Sequence, residues 1–146
     1  MNIISKFSER FGDIIFESEK SIFQISKDIG IQSSMLYTWR SAVSIPNLEN
    51  LIKLADYFQC SIEYLMGRIE EETGRQFNSV LPIFHERLKY YIKQSGKSAY
   101  YLCKTAKIHK GSFMRWANGE CVPLPDNLVK LANYFNCTID QLIGRE

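Results

Sequence analysis

No stretch of this chain approaches the roughly 20 consecutive apolar residues that a membrane-spanning helix needs, so a membrane protein is not expected. The opening run from Met1 to Lys6 lacks the apolar core of a signal peptide, and a cytoplasmic protein is expected. There are 4 cysteines but no Cys-x-x-Cys pair, and the 2 histidines, His85 and His109, complete no zinc-ligand spacing. No metal or cofactor is therefore expected. Cys60 and Cys137 read as small core hydrophobes. Gly96-Lys97-Ser98 resembles the tail of a phosphate-binding loop, but Tyr91 stands where the leading glycine should, and no strand precedes it. Cys103 and His109 are close in sequence, yet the spacing assigns Cys103 to a helix-packing position. No carboxylate pair recurs at a plausible active-site position in both halves of the chain, so an enzyme is not expected.

What is present is a sequence written twice, at an offset of 77 residues and without a gap. Arg10 returns as Arg87, Trp39 as Trp116 and Pro46 as Pro123. Residues 51–60, LIKLADYFQC, return as residues 128–137, LVKLANYFNC. Both copies close on Leu-x-Gly-Arg, at Leu65 to Arg68 and Leu142 to Arg145. Composition is ordinary for a globular protein, with 45% hydrophobic and 23% charged residues in a chain of 146. The repeat divides that length into two small domains, 1–68 and 82–146, around a linker at 69–81 with the acidic run Glu70 to Glu72. Domains of this size bury only about 60% of their unfolded surface. The net charge of +2 conceals an asymmetry, since residues 1–73 sum to −4 and residues 74–146 to +6. By net charge, a polyanion is attracted to the second half alone.

Each copy reads as five short helices with no credible strand, an all-α class. The fourth is the clearest: Leu51, Leu54, Ala55 and Phe58 fall at i, i+3, i+4 and i+7, as do Leu128, Leu131, Ala132 and Phe135. Asn47 suits an N-cap, and Pro125 the first helical position. Ser21 with Gln24, and Thr138 with Gln141, have the spacing of capping boxes. First helices are expected at about 7–17 and 84–94. Second and third helices follow at about 22–29 and 33–40, then 99–107 and 110–117.

Between the second and third helices lies a helix-turn-helix spacing. It needs a small residue at its fifth position, where the helices cross, and favours glycine at its ninth, where the turn becomes left-handed; the tenth, fifteenth and eighteenth are apolar. Counted from Ile22, those places hold Ser26, Gly30, Ile31, Leu36 and Trp39. Counted from Ala99, they hold Cys103, Lys107, Ile108, Phe113 and Trp116. Lys107 departs from the pattern, and a left-handed lysine costs about 1 kcal/mol.

At these residues the chain resembles the XRE family, the Cro and phage-repressor type of regulators. The likeness rests on the first-helix arginines, the helix-turn-helix, the tryptophans, the Gly119-x-x-x-Pro123 loop, the fourth helix and the Leu-x-Gly ending. It implies two tandem five-helix, lambda-repressor-like domains joined by a short linker, each setting its third helix in the DNA major groove. It also implies a transcriptional regulator with double-stranded DNA as partner, repression being the family's commoner habit. The residues so placed are Gln32, Ser33, Ser34, Tyr37 and Thr38 in the first copy. In the second they are His109, Lys110, Gly111, Ser112, Met114 and Arg115, with Asn118 just beyond. Arg115 suits guanine, Gln32 adenine and Met114 a thymine methyl. Lys97, Lys104 and Lys107 suit phosphates, or are ordinary solvated charge.

Two departures from the family stand out. Ile22 and Ala99 occupy a second-helix position where members often carry glutamine, and Arg40 and Ala117 a position where they often carry the glutamate that pairs with the first-helix arginine. Arg10 and Arg87 then either have another carboxylate or are free to meet phosphate. The rival to DNA binding is a protein-interaction role for the same fold, as an antitoxin, an anti-repressor or a dimerisation module, with a homodimer or protein partner on the acidic first copy. No small-molecule ligand is evident.

Overall fold

The computed structural model describes residues 2–72, 74 and 76–146. Thr73 and Arg75, inside the expected linker, lie outside the described residues, as does Met1. The chain divides into two compact units, Met1–Gly74 and Arg75–Glu146. The described residues form helices and no strand.

The first unit contains α1 (Ile3–Ser18), α2 (Ile22–Ile29), α3 (Ser33–Arg40), α4 (Leu48–Phe58) and α5 (Ile62–Leu65). The second repeats the order as α6 (Phe84–Ser95), α7 (Ala99–Ala106), α8 (Lys110–Ala117), α9 (Pro125–Phe135) and α10 (Ile139–Ile143). Helix α1 starts four residues earlier than its apolar spacing suggests, because Asn2 caps it by accepting the Ser5 N–H at 2.8 Å. Its buried residues, Phe7, Phe11, Ile14 and Ile15, form the inward stripe of an amphipathic helix. Phe11 meets Trp39 of α3 edge-on, with ring centroids 6.5 Å apart. In both units the three apolar positions of the helix-turn-helix are buried: Ile31, Leu36 and Trp39, and Ile108, Phe113 and Trp116.

The turns repeat in backbone, though not in residue type. Gly30 ends α2 at φ 72°, and Lys107 ends α7 at φ 58°, so the lysine adopts the left-handed turn that its neighbours impose. Ser26 donates its hydroxyl to the Ile31 carbonyl beneath the first turn. Cys103, its counterpart, is half-buried, and that burial raises its thiol pKa.

Three of the expected caps form. Asn47 accepts from the Asn50 N–H at 3.0 Å, Pro125 opens α9, and Thr138 with Gln141 completes a capping box. At α2 only half of the expected box is present. Ser21 accepts the Gln24 N–H at 3.1 Å, but the Gln24 amide turns away and donates to Asp28 Oδ1 at 2.8 Å. A carboxylate one turn further along outcompetes the backbone N–H of the cap, as charge-assisted hydrogen bonds do.

Each unit closes with an ion pair that doubles back on its last helix. Arg68 Nε lies 2.9 Å from Glu63 Oε2, and Arg145 Nη1 lies 2.7 Å from Asp140 Oδ1. Left-handed glycines at 67 and 144 reverse the chain and make that return possible. Gly144 is held twice over, since a Cβ there would sit 2.4 Å from Pro82 Cγ.

Candidate nucleic-acid interface

The elbow that leads into the second helix is built the same way in both units. Ser18 donates to the Ile15 carbonyl and accepts the Lys20 N–H at 3.2 Å; Ser95 donates to the Ile92 carbonyl and accepts the Lys97 N–H at 3.2 Å. Ser21 and Ser98 then cap α2 and α7 by accepting from the Gln24 and Tyr101 N–H groups, each at 3.1 Å. Lys20 and Lys97 are thereby delivered to equivalent places, at a helix N-terminus whose partial positive charge favours anions.

Helix α3 presents Gln32, Ser34 and Tyr37 as exposed residues, with Ser33 and Thr38 half-buried. The Thr38 hydroxyl donates back to the Ser34 carbonyl at 2.8 Å. Met35, 42% exposed, and the exposed Arg40 also stand on the outer surface. Met35 is not among the residues that the sequence points to, since it falls outside the apolar positions of the helix-turn-helix spacing and carries no polar group. Lys27 of α2 approaches the exposed ring of Phe23 at 6.0 Å.

Helix α8 presents His109, Lys110, Gly111, Met114 and Arg115, followed by Asn118, all exposed, with Ser112 half-buried. His109 serves as its N-cap, Nδ1 accepting the Gly111 N–H at 3.1 Å. In the neutral ring that arrangement puts the proton on Nε2, making it a donor. Gly111 provides the space, since a Cβ there would come within 3.0 Å of His109 Cε1. Lys97, Lys104 and Lys107 are exposed as well. Residues 99–117 contain no carboxylate, whereas 22–40 contain Asp28. The Lys107 backbone is steadied from α9, where Lys130 Nζ donates to its carbonyl at 3.1 Å.

The first-helix arginines are committed to the fold. Arg10 Nη1 donates to the Tyr64 carbonyl at 2.7 Å and the Ile69 carbonyl at 3.0 Å, while Glu70 approaches Nη2 at 3.6 Å. Its guanidinium also lies 4.0 Å from the centre of the Tyr64 ring. Arg87 donates to the Gln141 and Leu142 carbonyls and lies over Tyr90 and Tyr91. Each arginine thus satisfies carbonyls at the C-terminal end of its unit's last helix. In the first unit Glu70 joins as the replacement carboxylate; in the second, carbonyls alone suffice. The sequence noted the repeated arginines, but only the tertiary contacts reveal this clasp.

Among the described residues, no group of three or more His, Cys, Asp and Glu side chains could hold a metal ion. No helix among them is long and apolar enough to cross a membrane. The model of a family described as the Cro/C1-type helix-turn-helix DNA-binding domain matches the chain twice, at residues 13–71 and 87–146. The chain belongs to this Cro/C1-type family. Each match takes in the complete helix-turn-helix of one unit, so both units are Cro/C1-type domains. One similar curated protein is the "Cryptic phage CTXphi transcriptional repressor RstR" of Vibrio cholerae serotype O1 (strain ATCC 39315 / El Tor Inaba N16961). It is 33% identical over 63 residues, which cover 43% of this chain and 56% of that protein. The chain therefore spans little more than half the length of this relative. No solved structure matches the chain.

Proposed function

We propose that this protein is a sequence-specific transcriptional repressor in which the second Cro/C1-type domain is the principal reader of DNA. The observation that carries this reading is the carboxylate-free surface of residues 99–117, on which Lys104, Lys107, Lys110 and Arg115 are all exposed. Exposed cations attract phosphate, and a recognition-helix arginine can bind guanine bidentately. His109 Nε2, Met114 and Asn118 add a donor, an apolar contact and an amide to the same helix. The repressor named as a relative supports the regulatory direction. Two domains in one chain raise the effective concentration of the second contact, and their unlike reading residues suit an operator with unlike halves.

A second reading of the first domain has its own observation. Phe16, Phe23 and Tyr37 are 85%, 68% and 55% exposed, in a half of the chain whose net charge is −4. Exposed apolar side chains in an acidic half suit a second copy or another protein better than they suit a polyanion.

The test is selection from a random duplex library with the wild type and with Lys110→Ala/Arg115→Ala. An asymmetric motif that the double variant loses is the expected result. A motif that survives in the variant moves the reading to the first domain. No enrichment even at low salt removes DNA reading altogether and leaves the protein-partner role.

A further inference from the structure

The two lysines delivered to the second-helix entrances have different surroundings. In the first domain Lys20 Nζ donates to the Tyr57 hydroxyl at 2.9 Å and lies 3.6 Å from Asp28 Oδ2. Tyr57 in turn donates to Asp28 Oδ2 at 2.5 Å, and Gln24 donates to the other carboxylate oxygen at 2.8 Å. Three elements converge here: the elbow after α1, the outer face of α2 and the end of α4. In the second domain Lys97, Tyr101, Thr105 and Tyr134 occupy the places of Lys20, Gln24, Asp28 and Tyr57. The lysine and the α4 tyrosine persist, but the carboxylate is gone. Lys97 lies 5.3 Å from the centre of the Tyr101 ring, and no carboxylate among the described residues pairs with it.

We infer that Asp28, through Tyr57, holds Lys20 away from phosphate in the first domain, and that Thr105 in its place leaves Lys97 as a phosphate contact of the second. Asp28 is a positioning residue; Lys97 is the binding residue. This deepens the DNA-reading proposal and rests on it. The hydrogen bonds from Tyr57 and Gln24 hold the Asp28 carboxyl below its ordinary pKa, and the Tyr57 hydrogen bond raises that of Lys20, so both groups stay charged in neutral solution. The lysine's charge remains, but its nearest counter-charge is a neighbouring side chain. A phosphate approaching Lys20 has to displace that partner, whereas one approaching Lys97 displaces only water and counterions.

The experiment measures binding of the full chain to a non-specific duplex as salt is varied. Each phosphate contact adds about 0.9 to the slope of log affinity against log salt concentration. Asp28→Thr, which imports the residue of the second domain, is expected to steepen the slope by about 0.9. Asp28→Asn provides a near-isosteric second variant, with circular dichroism confirming that each is folded. Asp13→Asn removes an exposed carboxylate elsewhere on the first domain and controls for net charge. The steepening should vanish when Lys20→Ala is added to either Asp28 variant. In the second domain Thr105→Asp should flatten the slope as much as Lys97→Ala does, and combining the two should add nothing.

Folded Asp28 variants with the slope of Asp13→Asn would overturn the inference while leaving DNA binding by the wild type intact. So would a loss from Lys20→Ala that is equal with and without Asp28. A wild type that does not bind the duplex at all takes down the proposed function and this inference together.

Discussion

The two domains share one backbone and differ in what they place on it. The left-handed positions recur at the same offset, as do the elbow serines, the cap serines, the arginine clasp and the closing ion pair. Between those fixed points the surfaces diverge: Asp28 is replaced by Thr105, Ser33 by Lys110, Thr38 by Arg115 and Phe16 by Lys93 at the equivalent positions. The core and turns can therefore be held constant while the outer face of the helix-turn-helix is rewritten. Shared residues carry the fold, and unlike residues carry whatever the domains do differently.

The strongest way to break this symmetry is through the closing ion pairs. Asp140 and Arg145 are 0% and 1% exposed, while Glu63 and Arg68 are 7% and 21% exposed. Removing one partner of a fully buried pair costs about 3–5 kcal/mol, because the attraction that offsets the other charge's desolvation is lost. Asp140→Ala should therefore destabilise the second domain by roughly that amount. Glu63→Ala should cost the first domain less, because Arg68 retains access to water. Urea unfolding checks this, with the single tryptophan of each domain as its reporter after the other is replaced by phenylalanine. Equal losses would mean that the two closures are energetically equivalent despite their different burial.

A smaller effect is expected at the turns. Lys107→Gly should stabilise the second domain by about 1 kcal/mol by relieving a left-handed lysine. Gly30→Lys should destabilise the first by a similar amount, since open space surrounds Gly30 and only the backbone cost applies. The same urea midpoints read both changes. If Lys107→Gly leaves the midpoint unchanged, the extra backbone entropy that glycine gives the unfolded chain offsets the strain it relieves.

The smallest effect is in acid. The folded pKa of Asp28 lies below its ordinary value, so the contribution of its contacts is complete above the unfolded carboxylate pKa and disappears as pH falls through the folded one. The first domain should lose that contribution below about pH 4, and Asp28→Asn should remove this part of its acid dependence. Thr105 gives the second domain no matching term. An acid dependence unchanged in Asp28→Asn would show that the carboxylate gains nothing from folding.

Much of this was legible in the chain itself. The buried triplets Ile31, Leu36, Trp39 and Ile108, Phe113, Trp116 follow from spacing, as does the left-handed turn at Lys107, because local backbone geometry leaves few alternatives. The start of α1 lies four residues before the expected one, because Asn2 caps a first turn whose apolar residues, Ile3 and Ile4, are only half-buried. The spacing assigns Gln24 to a capping box because its competitor, Asp28, acts only once the helix has formed. Arg10 and Arg87 could not be assigned from spacing, since their acceptors lie more than 50 residues away and are backbone carbonyls. Arg145 enters the sequence reading only as the end of a repeat, and Asp140 does not enter it. A carboxylate five residues before an arginine, with glycine just before the arginine, was the signal available for their pairing.

The arginine clasp also has a bearing on how the protein is made. The described contacts that close the first domain, from Arg10 to Tyr64, Ile69 and Glu70 and from Ser61 to Glu72, fall within the first 72 residues. At about 5–20 residues per second, the ribosome needs roughly 4–15 s to add the second repeat. Small helical bundles fold in microseconds to milliseconds. The first copy can therefore clasp its own C-terminal carbonyls once it clears the ribosomal tunnel, well before the rival set at Gln141 and Leu142 exists. Vectorial synthesis thus protects two repeats of one fold from exchanging their closing helices, a safeguard that refolding from denaturant does not supply.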